Sequence, residues 1–213
     1  MKTVLKRIAL IFALLVPIYS YGQFKLSGKI VNYQGTEKLQ VNIPLIYGFH
    51  KENSFPIPIS KDGSFKVTLP IHTQKIVNVI FVRTFHTLLF APNKDLNIIL
   101  NEKDSTLNLV SGTALPESKV MQAIKLEEYP FFLANEPSKT FAKYSLQQLQ
   151  NEVVKPYFAQ QEEKIQKVKS STIAANDKAL ISAELKYIAY NYLNDLARTG
   201  ISNRPLVDSL ILS

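Results

Sequence analysis

The sequence predicts an α+β chain, with an antiparallel β-sandwich of seven to eight strands over residues 23–113 and an all-helical segment over residues 114–213. Three observations predict it. Apolar residues recur at every second position from Phe24 to about Gly112. After Pro116 they recur with the helical period. Turn residues separate the alternating runs at short intervals, and the break of period at Gly112–Pro116 marks the domain boundary.

The first strand is read from Phe24, Leu26 and Ile30 on one face, with Lys25 and Lys29 on the other. Leu39, Val41, Ile43, Leu45 and Tyr47 make a second run, and Phe65, Val67 and Leu69 another. Residues 76–82 are apolar on both faces apart from Asn78, the pattern of a central strand. Runs over 86–91, 96–100 and 106–110 follow, and Pro92-Asn93-Lys94-Asp95 supplies a turn between the first two.

One hairpin is set in register by its turn. A two-residue Asp62-Gly63 turn would place Ile59 opposite Lys66 and mix apolar with charged side chains on one face. A three-residue loop, Lys61-Asp62-Gly63, pairs Ile59 with Phe65, Ile57 with Val67 and Phe55 with Leu69, and asks Gly63 to be left-handed. Pro56 and Pro58 then present no amide on the outer side, which marks that strand as a sheet edge.

In the helical half, Val120, Met121 and Ile124 begin an amphipathic stretch that continues through Glu127-Glu128 and breaks near Pro130. Ser145 with Gln148 matches a capping box, and Leu146, Leu149 and Val153 supply the apolar stripe behind it. Pro156 kinks or restarts that helix. A further helix starts at Asn176 or Asp177, runs through Ile181, Leu185, Ile188 and Tyr192, and stops at Gly200. Tyr187, Tyr190 and Tyr192 read as packing residues with wet hydroxyls.

Composition restricts the chemistry. The 213 residues include no cysteine, which excludes a catalytic thiol, a disulfide and a Cys-ligated metal. The net charge of +8 is mostly lysine interleaved with acids, as in Glu162-Glu163-Lys164, a solvated face rather than a nucleic-acid stripe. Lys2, Lys6 and Arg7 precede the apolar run Ile8–Tyr19 and the small residues of Ser20-Tyr21-Gly22, the order of a secretory signal peptide. Residues 1–22 are therefore expected to be a signal peptide cleaved after Gly22, the mature chain to be periplasmic, and no membrane span to remain.

The glycines form no phosphate-binding loop or dinucleotide fingerprint, and there is no nucleophile elbow or zinc-binding His-Glu-x-x-His helix. His50, His72 and His86 lie far apart in sequence, and Glu127-Glu128 diverge on a helix. No catalytic, cofactor-binding or metal-ligating residue is assigned, and no cofactor is expected.

Phe24-Lys25-Leu26-Ser27-Gly28-Lys29-Ile30, then Ser60-Lys61-Asp62-Gly63-Ser64-Phe65, then Ala91-Pro92-Asn93-Lys94-Asp95-Leu96 form an ordered set. It resembles the N-terminal, non-thioredoxin region of TlpA-like thiol-disulfide oxidoreductases of the Gram-negative envelope. That resemblance implies a β-sandwich leading into helices, followed in the family by a thioredoxin-like domain with Cys-x-x-Cys. With no cysteine here, no catalytic residue carries over. The resemblance implies a redox-inactive accessory region truncated before its thioredoxin-like domain, with that domain or another envelope protein as partner. Leu206, Val207, Leu210 and Ile211, a stripe in want of a neighbour, fit this expectation. The alternative is a free-standing periplasmic module that binds a ligand or a protein. A cofactor-free hydrolase is disfavoured for want of a nucleophile and base.

Overall fold

The structure, a computed structural model, describes residues 22–45, 50–126, 128–133, 141 and 144–200. The expected signal peptide, but for Gly22, and the stripe at 206–211 lie outside the described residues. Alternation builds β1 (Phe24–Val31), β2 (Leu39–Asn42), β3 (Ser54–Ile57) and β4 (Ser64–Leu69). It also builds β5 (Lys75–Phe81), β6 (Thr84–Phe90), β7 (Asp95–Asn101) and β8 (Leu107–Ser111). They form two four-stranded sheets, ordered β4-β1-β7-β8 and β3-β2-β5-β6. Asn78 lies on β5, which is central as expected. The inward faces meet in one core, where Phe24 of the first sheet stacks on Phe90 of the second at 3.8 Å between centroids.

The sandwich is not antiparallel throughout. β1 and β7 run parallel, with Leu26 beside Leu96 and Ile30 beside Leu100. These strands are not joined by a tight turn, since the chain visits the second sheet between them, so no hairpin fixes their direction. The second run is also shorter than expected. β2 stops at Asn42, ahead of Pro44, Leu45 is 75% exposed, and Tyr47 lies outside the described residues.

The Lys61–Gly63 hairpin keeps its turn and loses its ladder. Gly63 has φ +82°, its amide donates to the Ser60 carbonyl, and Ile59 bridges Phe65 as expected. Beyond that point the expected pairs do not form. Ile57 pairs with Leu39 and Phe55 with Val41, while Val67 and Leu69 pair with Leu26 and Phe24. Pro58 sits at the departure, and the chain there turns a sandwich corner, leaving one sheet to join the other. Among the described residues β3 is still an edge. Because the Ile43 amide donates to the Asn53 carbonyl, alternation puts Val41–Phe55 in a bonded pair and Pro56 in a non-bonded one.

Helix α1 (Leu115–Ile124) has Pro116 in its first turn, where a missing amide is harmless. It ends sooner than its apolar pattern suggested, because Lys125 is left-handed at φ +46°. Ser145 and Gln148 form the expected reciprocal cap at the start of α2 (Leu146–Leu149). A π turn over Gln150–Val154 then joins α2 to α3 (Lys155–Ser170) without a break. Pro156 explains the wide turn, because its ring would press on the carbonyl of Glu152 and it has no amide to donate there. Helix α4 spans Ala175–Gly200.

The helices add a third layer against the second sheet. Ile76 and Leu89 turn outward from the sandwich into a second core with Met121, Ile124, Ile165, Val168, Ile181 and Leu185. A third cluster, centred on Phe132, Val153, Tyr157 and Ala189, holds the helices to one another. No described helix is long and apolar enough to cross a membrane.

Candidate functional site

The groove between β6 and the end of α1 is the candidate site. Among the described residues β6 is an edge strand of the second sheet, and four consecutive residues, Phe85 to Leu88, line a cleft of about 580 Å³ with Met121, Lys125 and Glu128 opposite. Successive side chains on a strand point to opposite faces, so a cleft lined by four in a row runs along the strand's edge. Its size falls in the usual range for ligand sites, about 300–1,000 Å³.

The register of β6 decides which backbone groups look into it. Val82 and Arg83 are both left-handed (φ +46° and +61°) in a two-residue turn between Phe81 and Thr84, the type I′ form. Phe81–Thr84 is then a bonded pair, as are Val79–His86 and Val77–Leu88. The amide and carbonyl of Thr87 consequently point away from β5, toward the groove. Its hydroxyl is occupied, donating to Oδ1 of Asn78 at 2.9 Å.

His86 lies on the opposite face of the strand from Thr87. Its Nε2 is buried without a hydrogen-bond partner among the described residues, and burial holds its pKa below the ordinary 6.5 against a smaller pull from the Ser105 carbonyl. His86 is therefore neutral at pH 7. At the α1 end of the groove, Lys164 Nζ lies 3.0 Å from Glu128 Oε2 and 3.2 Å from the Lys125 carbonyl oxygen. The hydrogen bond from Lys164, followed by its charge, lowers the Glu128 pKa, with Lys125 and Lys167 adding to the effect. Among the described residues three lysines thus act on the Glu128 carboxylate.

The histidines do not converge on one centre. His50 precedes β3 at one edge of the second sheet and His86 sits on β6 at the other. His72 is exposed in the connection between β4 and β5. Among the described residues no cluster of three or more His, Asp or Glu side chains is placed to hold a metal ion. Glu162 and Glu163 face solvent, and Glu127 lies outside the described residues. The tyrosines divide differently from the expectation: Tyr192 packs between two cores, whereas Tyr187 and Tyr190 are 64% and 60% exposed. Tyr190 still meets Phe158 edge-on at 5.6 Å.

A buried polar cluster escaped the sequence reading. Lys94, from the turn before β7, donates to Glu117 in the first turn of α1. Asp177, in the first turn of α4, accepts from Gln74 Nε2 at 2.7 Å. Glu117 Oε2 and Ser118 Oγ are buried with no hydrogen-bond partner among the described residues. Acidic residues in first helical turns are expected from the macrodipole alone, so their burial left no mark in the sequence.

No family model and no curated protein matches the chain. One solved structure with a detectable likeness is described as "a putative cell adhesion protein from Bacteroides ovatus". The likeness is 11% in identity, covers 43% of this chain and 44% of that one, and has a TM-score of 0.26. At that level it carries no argument about fold or role.

Proposed function

We propose that this chain is the non-catalytic accessory region of an exported TlpA-like thiol-disulfide oxidoreductase, redox-inactive itself and serving to position a thioredoxin-like partner in the periplasm. One observation supports the reading. The three stretches that carry the resemblance, far apart in sequence, lie side by side on β1, β4 and β7. Gly28 pairs with Phe65 and Leu26 with Leu96, the Ile30 amide donates to the Gly63 carbonyl, and the Lys25 amide donates to the Lys94 carbonyl. The shared residues thus belong to one structural unit instead of three unrelated turns. A thiol-disulfide exchanger needs an attacking thiolate and a resolving thiol, and the sequence has neither.

The test has two arms. The purified chain should match the blank in an insulin-reduction assay, and it should bind a thioredoxin-like domain carrying Cys-x-x-Cys from the same envelope in a titration. Activity above the blank, or no association at millimolar domain, would overturn the reading. Export is tested separately: envelope protein should begin at Gln23, and a chain starting at Met1 in the cytoplasm would refute it. The cleft beside β6 favours a second reading, a periplasmic binding module with no thioredoxin-like partner.

A further inference from the structure

We propose that the groove beside β6 docks an extended, acidic peptide segment of another protein, which adds to the β3-β2-β5-β6 sheet as a strand. This goes beyond the accessory reading and does not depend on it. Strand addition needs an edge strand with backbone groups turned outward, and a wall that takes alternate side chains. β6 supplies the edge, and the hairpin register turns the amide and carbonyl of Thr87 into the groove. The last turn of α1 supplies the wall, with Met121 as an apolar contact and Gln122 tied back to the Leu107 carbonyl at 3.2 Å.

Charge selects the occupant. Lys125 is exposed at the groove's end, and Lys164 and Lys167 stand behind it with Glu128 as their nearby acid. Glu128 is already paired to Lys164, so among the described residues Lys125 and Lys167 leave an excess of positive charge where an incoming strand would end. Acidic side chains or a terminal carboxylate at that end of the peptide complement it. His86 is neutral and aimed into the sandwich, so it adds no charge to the groove.

The probe is a synthetic ten-residue peptide of alternating Val and Thr ending in Glu-Asp-Glu, compared with the same peptide ending in Lys-Lys-Lys and with one N-methylated at alternate residues. On the intact chain the acidic peptide should slow amide exchange at Thr87 by tenfold or more, and the other two should not. Lys125→Glu, at an exposed position, should weaken binding about tenfold while leaving the thermal midpoint unchanged; Thr87→Pro, if it folds, should abolish it. Four results would overturn the proposal: no binding at 1 mM peptide, equal binding of the N-methylated peptide, the same exchange effect from N-acetylglutamate alone, or protection of Thr87 through self-association of the chain without peptide.

Discussion

Lys94 and Glu117 join the sandwich to the helical layer: the ammonium in the β6–β7 connection donates to a carboxylate at the start of α1. Glu117 is only 5% exposed and its second oxygen has no partner among the described residues, so the lysine is its main compensation. Removing one side of such a pair strands a buried charge, whereas replacing both sides by apolar groups is often close to neutral. Lys94→Met should therefore cost about 2 kcal/mol, the scale of a lost charged hydrogen bond. Lys94→Met with Glu117→Leu should recover at least half of that in urea denaturation. A double variant no more stable than the single one would show that the pair is not the source of the loss.

Asp177 gives the same junction a pH dependence. Burial, then the Glu117 charge, raises its pKa above the ordinary 3.8, and Lys94 only partly offsets them. A carboxyl raised in the folded state contributes stability that is complete below the unfolded value and lost as pH rises through the folded one. Asp177→Asn keeps an oxygen for Gln74 and cannot ionise. The variant should match the wild type at pH values below the ordinary 3.8 and exceed its thermal midpoint at neutral pH, where the wild-type carboxyl is charged. Asp62, Asp95 and Asp104, lowered by hydrogen bonds from Ser64, Thr113 and Thr106, act with the opposite sign and are common to both proteins. A lower midpoint for the variant at pH 7 would mean that the charged form is the stabilising one.

Features set by neighbouring residues were legible in the sequence. The Ser145–Gln148 cap and the left-handed Gly63 follow from chemistry within four residues, and both stand. Features set by distant chain were not. Local register arithmetic kept Ile57 opposite Val67, but β1 brings Leu26 to that position and β2 takes Ile57. The Val82–Arg83 turn was invisible for another reason. Neither residue favours positive φ, and the turn is enforced by the pairing of seven residues on each strand. The groove depends on that register and on where α1 stops, so no motif marked it.

Gly63 tests the part of the hairpin that persists. A Cβ there would lie 2.4 Å from the Ile30 carbonyl oxygen, a backbone atom that cannot move aside without disturbing β1. The left-handed backbone adds its own penalty of roughly 1–2 kcal/mol for a side chain. Gly63→Ala should thus lower stability by about 2 kcal/mol or more. Chemical denaturation measures it directly, and a midpoint within error of the wild type would exclude this turn geometry.

Arg83 tests the turn that the sequence concealed. It is exposed at φ +61°, a conformation that costs an L-residue roughly 1–2 kcal/mol. Glycine there would be free of that cost but would lose about 0.5–1 kcal/mol through its freer unfolded state. The balance favours Arg83→Gly by up to about 1.5 kcal/mol. Val82 is a poorer site for the same change, because its side chain packs against the sandwich core and glycine would forfeit that contact. A higher urea midpoint with an unchanged m-value is the expected result, since the surface exposed on unfolding stays the same. The outcome also reaches the groove. The two-residue turn at Val82–Arg83 places the Thr87 amide on the outer side of β6, and a one-residue shift would not. A destabilised Arg83→Gly variant would indicate a different turn and a one-residue shift along β6, which would bring His86 backbone groups, and not those of Thr87, to the groove.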